Sequence, residues 1–342
     1  MEGSGDIKRR KSDRLKLSDA GDISYNCEHL VTTPENVKVT LETFGVAIVP
    51  HVLTADECKS MSRRAWQTIR RVTKGVVTYD NPTRFFDLLH PSHSTTLNTG
   101  SFGQADYVWD IVRQNVRVVE PFRRIWNVER AEDLLVSFDG IGFCPAPAST
   151  DRGYRHNHNW LHVDQRFSDP SFQCVQGWVT SEPVNPGDAT LLVSETSHRR
   201  FADFAERFDL QTYKKDWFKL LNQDQVDFYK GLPLRAIVCP AGSLVLWDSR
   251  TLHQGLEATR ESLQFRSIAY VCYTPRSLAT PKDLKKKQQA FRDGRTTTHW
   301  PHRPKVAGKF PQLYGKPKPD LEEITPYPYE ALSDLGKRLA GF

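Results

Sequence analysis

The chain has 342 residues, 38% hydrophobic and 26% charged, with a formal net charge of +6. That composition is globular and long enough for one large or two ordinary domains, and the basicity is too small to establish nucleic-acid binding. Six scattered cysteines without a Cys-x-x-Cys pair argue against a zinc finger or a disulfide framework. The opening residues lack the apolar core of a signal peptide and no run reaches membrane-spanning length, so a cytoplasmic or nuclear protein, not secreted and not in a membrane, is expected.

Residues 1–24 are polar and carry Lys8-Arg9-Arg10-Lys11, which predicts a disordered basic tail; a nuclear-import or polyanion-binding tag is the sharper reading of that cluster. From Val37 to Val49 the alternation of Phe44, Val46 and Ile48 predicts a leading strand closed by Pro50. Thr54 and Glu57 then form a capping box for a helix whose stripe is Met61, Ala65 and Ile69. Residues 72–101 read as a long loop with short elements, and Tyr107–Ile125 as a second helical zone ending near Trp126. A strand at Leu134–Phe138 breaks at Asp139-Gly140, and Pro145 and Pro147 end the run.

Strand character then dominates: Cys174–Thr180, Ala189–Ser194, Leu234–Val238, Ser243–Trp247 and Phe265–Tyr273, with a helix-rich insertion near 199–229. Short strands with turn residues between them, and helices gathered in the first half, predict a mainly β fold with helices (α+β). Its core would be a jelly roll or cupin-like barrel backed by N-terminal helices. The barrel domain is expected over 25–280, followed at 281–342 by a basic, proline-rich extension packed on it. Within that extension Lys282–Arg292 reads as a solvated helix. No GxGxxG, P-loop or GxSxG motif anchors a nucleotide-binding or hydrolase reading.

The chemistry gathers at Trp160-Leu161-His162-Val163-Asp164-Gln165. In an extended segment His162 and Asp164 project to one side, and His253, just past the strand Ser243–Trp247, can bring a second imidazole. Two nitrogens and one carboxylate make the facial set of non-haem Fe(II) oxygenases, which leaves positions open for co-substrate and O2. Arg266 opens a strand whose Ile268, Tyr270 and Cys272 share its face, and a guanidinium in apolar surroundings calls for an anion, such as the distal carboxylate of 2-oxoglutarate. Gln165 and Asp248 are candidates to orient the ligand imidazoles. The cluster His156, His158 and His162 imitates a zinc site, but no Glu stands in the HExxH position.

These residues, with Gln176-Gly177-Trp178, Ser197-His198, Gly242–Trp247, His253-Gln254-Gly255 and Phe265-Arg266-Ser267, make the sequence resemble the phytanoyl-CoA dioxygenase-like family of Fe(II)/2-oxoglutarate-dependent oxygenases. The resemblance covers about 40–280. It implies a double-stranded β-helix, with His162, Asp164 and His253 as iron ligands, Arg266 as the 2-oxoglutarate clamp and Trp178 lining the co-substrate pocket. O2 is the oxidant, and a small-molecule substrate is expected to be hydroxylated with release of succinate and CO2. Where the family has Pro-Gly-Ser-His, this chain has Glu195-Thr196-Ser197-His198, so no catalytic role passes to His198. An oxygenase acting on nucleic acid or protein, motivated by the basic segments, and a non-catalytic binding protein of the same fold are the competing readings. Neither the prime substrate nor the oligomeric state is legible in the pattern.

Overall fold

The computed structural model describes residues 15–89, 97–99, 102–307 and 320–342 of the chain. Its strands are β1 (Ile23–Ser24), β2 (Val46–Val49), β3 (Leu97–Thr99), β4 (Leu134–Val136), β5 (Ile141–Cys144), β6 (His162–Val163) and β7 (Val175–Thr180). Then come β8 (Thr190–Ser194), β9 (Phe218–Lys219), β10 (Leu234–Ala236), β11 (Leu244–Asp248), β12 (His253–Leu256) and β13 (Arg266–Pro275). They form two sheets. One runs β2-β11-β7-β13-β5-β3, with β4 beside β13; the other runs β1-β10-β8-β12-β6-β9.

Alternation along the strands explains the layers. Trp178, Val193, Val245 and Ile268 point inward and fill the space between the sheets. The outer face of the first sheet gives Val179, Leu246 and Val271 to a larger core. Helices cover that face: α1 (Val37–Phe44), α2 (Ala55–Val72), α3 (Phe85–Leu88) and α4 (Val116–Trp126). The capping box of α2 forms between Thr54 and Glu57, and its Met61, Ala65 and Ile69 are buried, as the spacing predicts. The second sheet is backed by the insertion, where α6 (Phe201–Arg207) and α7 (Gln223–Phe228) follow the short α5 (Pro147–Thr150). Phe167, Phe201, Phe204, Phe218 and Tyr229 build its aromatic core. This is the expected double-stranded β-helix, and no helix among the described residues is long and apolar enough to cross a membrane.

Three expectations change. Val37–Phe44 is helical, not part of a strand: Val37 and Leu41 are buried one turn apart while Val39 faces water, and Gly45, at φ 77°, ends the helix before β2. The helical zone near 107–125 divides into a π-helical turn, Val108–Arg113, and α4, capped by Asn115. The expected solvated helix, α8 (Pro281–Arg292), is exposed at Lys285 and Lys286 but buries Lys287, whose Nζ donates to the Val136 carbonyl and lies 3.8 Å over the Phe138 ring. Burial, with Arg113 and Arg276 nearby, holds that ammonium well below the ordinary lysine pKa.

The first and last described segments are anchored. Leu17 is buried, and β1 pairs in parallel with β10, while Lys8-Arg9-Arg10-Lys11 lies outside the described residues. At the other end Thr297 exchanges hydrogen bonds with Phe138, Trp300 is buried against Cys174 and Cys272, and α9 (Asp334–Ala340) closes over Lys287 and Arg276.

Candidate metal centre

His162 opens β6 and His253 opens β12, and the two strands pair so that these residues stand directly opposite. Their ring centroids are 4.3 Å apart. Asp164 follows β6, held by its backbone N–H donating to the Ser249 carbonyl at 3.0 Å. Its Oδ2 lies 3.8 Å from His162 Nε2 and 3.5 Å from His253 Nε2. Among the described residues, these three form the one group of His, Cys, Asp or Glu donors arranged to hold a metal, all within 4.8 Å of one another. His156 and His158 take no part in it.

The hydrogen bonds on the far side of each imidazole set its chemistry. His162 Nδ1 meets the Trp160 carbonyl at 3.0 Å and His253 Nδ1 meets the Thr251 carbonyl at 2.8 Å. A carbonyl only accepts, so each Nδ1 carries the hydrogen and each Nε2 keeps its lone pair for a metal. The orienting groups are thus backbone carbonyls, and not Gln165 or Asp248. Gln165 instead accepts from Ser249 and donates to the carbonyls of Asp169 and Ser171, and Asp248 is taken by Arg250. Gln176, from β7 in the opposite sheet, donates to Asp164 Oδ2 at 3.0 Å. Burial, and then the neighbouring His253, pushes His162 down to about 4, which keeps it neutral. Burial opposes ionisation of Asp164, yet the flanking imidazoles outweigh it and hold the carboxyl well below the usual carboxylate range.

Arg266 stands on β13, in the sheet opposite the triad and not on a strand beside it. Tyr270 and Cys272 on the same face pair with Trp178 and Gln176 of β7. Arg266 is 6% exposed, its guanidinium carbon is 6.0 Å from the Trp178 ring centre, and its Nη1 is buried without a hydrogen-bond partner among the described residues. A buried cationic donor left unmatched fits an anion and little else. Trp178 is buried in the inter-sheet core, with its own Nε1 also unpartnered.

Several contacts around the triad escaped the sequence reading. Trp160 packs 4.9 Å from His162, and Trp217 of the insertion lies 6.2 Å from it, because β9 pairs with β6. His299, in the extension, acts electrostatically on both His162 and Asp164, and its Nε2 is buried and has no hydrogen-bond partner among the described residues. The one available signal was Gly294–Pro301, polar and aromatic residues within an otherwise basic tail. His198 lies elsewhere: its Nε2 bonds to the Glu42 carbonyl, and it lines a groove of about 520 Å³ with Phe172, Asp248 and Arg250 that none of the triad reaches.

Comparison with known proteins bears on the family and the fold. The family described as phytanoyl-CoA dioxygenase matches residues 41–263. A curated relative, "Ava biosynthesis cluster protein O" of Aspergillus versicolor, is 31% identical over 207 residues, which is 57% of this chain and 63% of that protein. The chain thus matches less than two thirds of that relative's length. Among solved structures, a hypothetical protein from Escherichia coli is similar with a TM-score of 0.58 at 15% identity, over 92% of this chain and 85% of that one. A candidate oxidoreductase from Salmonella typhimurium LT2 gives a TM-score of 0.57 at 13% identity, over 90% of this chain and 82% of that one. At those identities the two structures speak for the fold.

Proposed function

Because the chain belongs to the phytanoyl-CoA dioxygenase family, whose enzymes use Fe(II) and 2-oxoglutarate, we propose that it is a dioxygenase hydroxylating a small molecule or acyl derivative. The overall reaction is R–H + O2 + 2-oxoglutarate → R–OH + succinate + CO2. The name of the Aspergillus relative, from a biosynthesis cluster, supports a small-molecule substrate.

His162, Asp164 and His253 hold the iron. When bound, that metal supplies the O2 chemistry that organic side chains lack. The chain does the rest. Backbone carbonyls lock both imidazoles in the ligating tautomer, and Gln176 fixes one oxygen of Asp164. Arg266 takes the distal carboxylate of 2-oxoglutarate, and Trp178 walls that end of the pocket and keeps water from it.

One observation carries the reading: three ligand atoms within 4.8 Å, two with their tautomers fixed, share the barrel interior with a buried arginine whose Nη1 has no hydrogen-bond partner among the described residues. The test is succinate formation in air from 2-oxoglutarate with Fe(II), followed by NMR without added substrate. Slow, iron-dependent succinate release is expected, and its loss in His162→Ala and Asp164→Ala. Equal release by wild type and both variants would overturn the proposal.

A further inference from the structure

The mouth of this centre is built from chemistry that the co-substrate does not use. Trp160 is 40% exposed and Trp217 is 44% exposed, large apolar rings that a folded chain ordinarily covers. Their centroids lie 5.9 Å apart at an interplanar angle of 45°, and both face the ring of His162. Neither backbone is loose. Trp160 N–H donates to Gln254 Oε1 at 2.8 Å, and Trp217 immediately precedes β9, which pairs with the strand that bears His162. The Trp217 carbonyl also accepts from Tyr213 at 3.0 Å. The scaffold therefore holds two indole faces open beside a metal ligand.

Next to them sits a cationic cluster. Asp216, the residue before Trp217, accepts two hydrogen bonds from Arg166 and two from Arg303, and Lys305 lies 3.5 Å away. A further carboxylate that acts on Arg166, Asp169, is engaged by Ser171. With Asp169 counted, three cations meet two carboxylates, which leaves one positive charge in surplus. Arg166 and Arg303 remain partly open to solvent, and Arg303 is pressed 3.7 Å over Trp300. Arg303 and Lys305 come from the extension and Trp217 from the insertion. Arg303 and Lys305 lie beyond residues 41–263, which the family matches.

We propose that the mouth binds the prime substrate as an organic anion with a flat aromatic or conjugated body. Trp160 and Trp217 take the flat body, and Arg166, Arg303 and Lys305 take its carboxylate, sulfonate or phosphate group. The inference rests on the reading of the triad as the reaction centre. Indole faces favour planar partners through stacking and desolvation, and the fixed cations select the sign of the charge. The two together select what neither does alone.

The test uses the full chain and naphthalene-2-sulfonate as probe, with cyclohexanesulfonate as the non-planar anion and 2-naphthalenemethanol as the planar neutral molecule. Binding is read twice, by tryptophan fluorescence without metal and by broadening of the probe's proton NMR lines when Mn(II) fills the triad. Naphthalene-2-sulfonate should bind about tenfold tighter than either control, with an affinity that falls as salt rises. Trp160→Ala and Trp217→Ala should each weaken it about fivefold. Arg303→Gln should weaken the probe but not 2-naphthalenemethanol. Leu263→Ala, an exposed apolar residue elsewhere (83% exposed), should change nothing. Equal affinities for the three molecules, binding unchanged in both tryptophan variants, or binding without Mn(II) broadening would each overturn the inference. If Mn(II) itself does not bind the triad, the reaction-centre reading fails, and the fluorescence arm still reports on the mouth.

Discussion

Gly142 leaves the space that the Arg266 guanidinium fills: a Cβ at Gly142 would lie 2.7 Å from Arg266 Nη1 and 2.7 Å from Ile268 Cγ1. The two residues sit on neighbouring strands, where Arg266 pairs with Cys144 and Ile268 with Gly142. Gly142→Ala must therefore displace the far end of Arg266 or the Ile268 side chain. The expected outcome is weaker 2-oxoglutarate binding by calorimetry on Mn(II)-loaded protein, with Mn(II) affinity unchanged. Overpacking should also lower stability by about 1–3 kcal/mol. Unaltered 2-oxoglutarate affinity would show that the Ile268 side chain yields and Arg266 keeps its place.

Arg266→Ala removes the charged partner itself. A loss of about 1.5–3 kcal/mol in 2-oxoglutarate binding is expected, the range for a hydrogen bond to a charged group. Arg266→Lys should recover only part of it, since an ammonium cannot reproduce a two-pronged grip. Full affinity in the alanine variant would point to another cation as the clamp.

The sequence exposed the centre because the ligands follow rules of short range. His162 and Asp164 share a side through the two-residue repeat of an extended chain, and Arg266 stands out as a cation among apolar neighbours. Most strands between 134 and 275 were legible for the same reason, since alternation and turn residues bracket them. What was hidden depends on pairing across long separations. Nothing local says that Phe218 and Lys219 pair with β6 and so carry Trp217 to His162, or that His299 returns from the extension to the same centre. Val37–Phe44 misled because Phe44, Val46 and Ile48 alternate across a helix end, where Gly45 stops α1. Lys287 looked solvated because it stands in a run of lysines, yet the helix turns only that one inward.

Trp300 ties the extension to the barrel: it is 1% exposed, packed on Cys174 and Cys272 and covered by Arg303. Trp300→Ala should cost about 3–5 kcal/mol. A drop in melting temperature, with faster proteolysis between residues 294 and 307, is the expected result. Wild-type stability would show that the segment is not anchored there.

One buried and one half-buried imidazole set an acid limit on the metal-free protein. Burial, then the neighbouring His253, lowers His162 to about 4; burial, then Arg303, lowers His302 to about 4. An unfolded histidine titrates near 6.5, so from about pH 6.5 down to about 4 the unfolded chain binds protons that the folded chain refuses. These groups stabilise the fold fully above that window, and stability falls as pH drops through it. Thermal melts of the apoprotein should show this slope, and His302→Asn should flatten it. An identical slope in the variant would contradict the assignment to His302.

The central claim is that His162, Asp164 and His253 hold iron while Arg266 holds 2-oxoglutarate beside it. Anaerobic titration of the protein with Fe(II) and then 2-oxoglutarate tests this most directly, through the weak visible charge-transfer band that a 2-oxo acid chelated to Fe(II) produces. The band should saturate at one equivalent of iron, vanish in His162→Ala, and need more 2-oxoglutarate in Arg266→Ala. No band in the wild type, or an undiminished band in His162→Ala, would contradict the account.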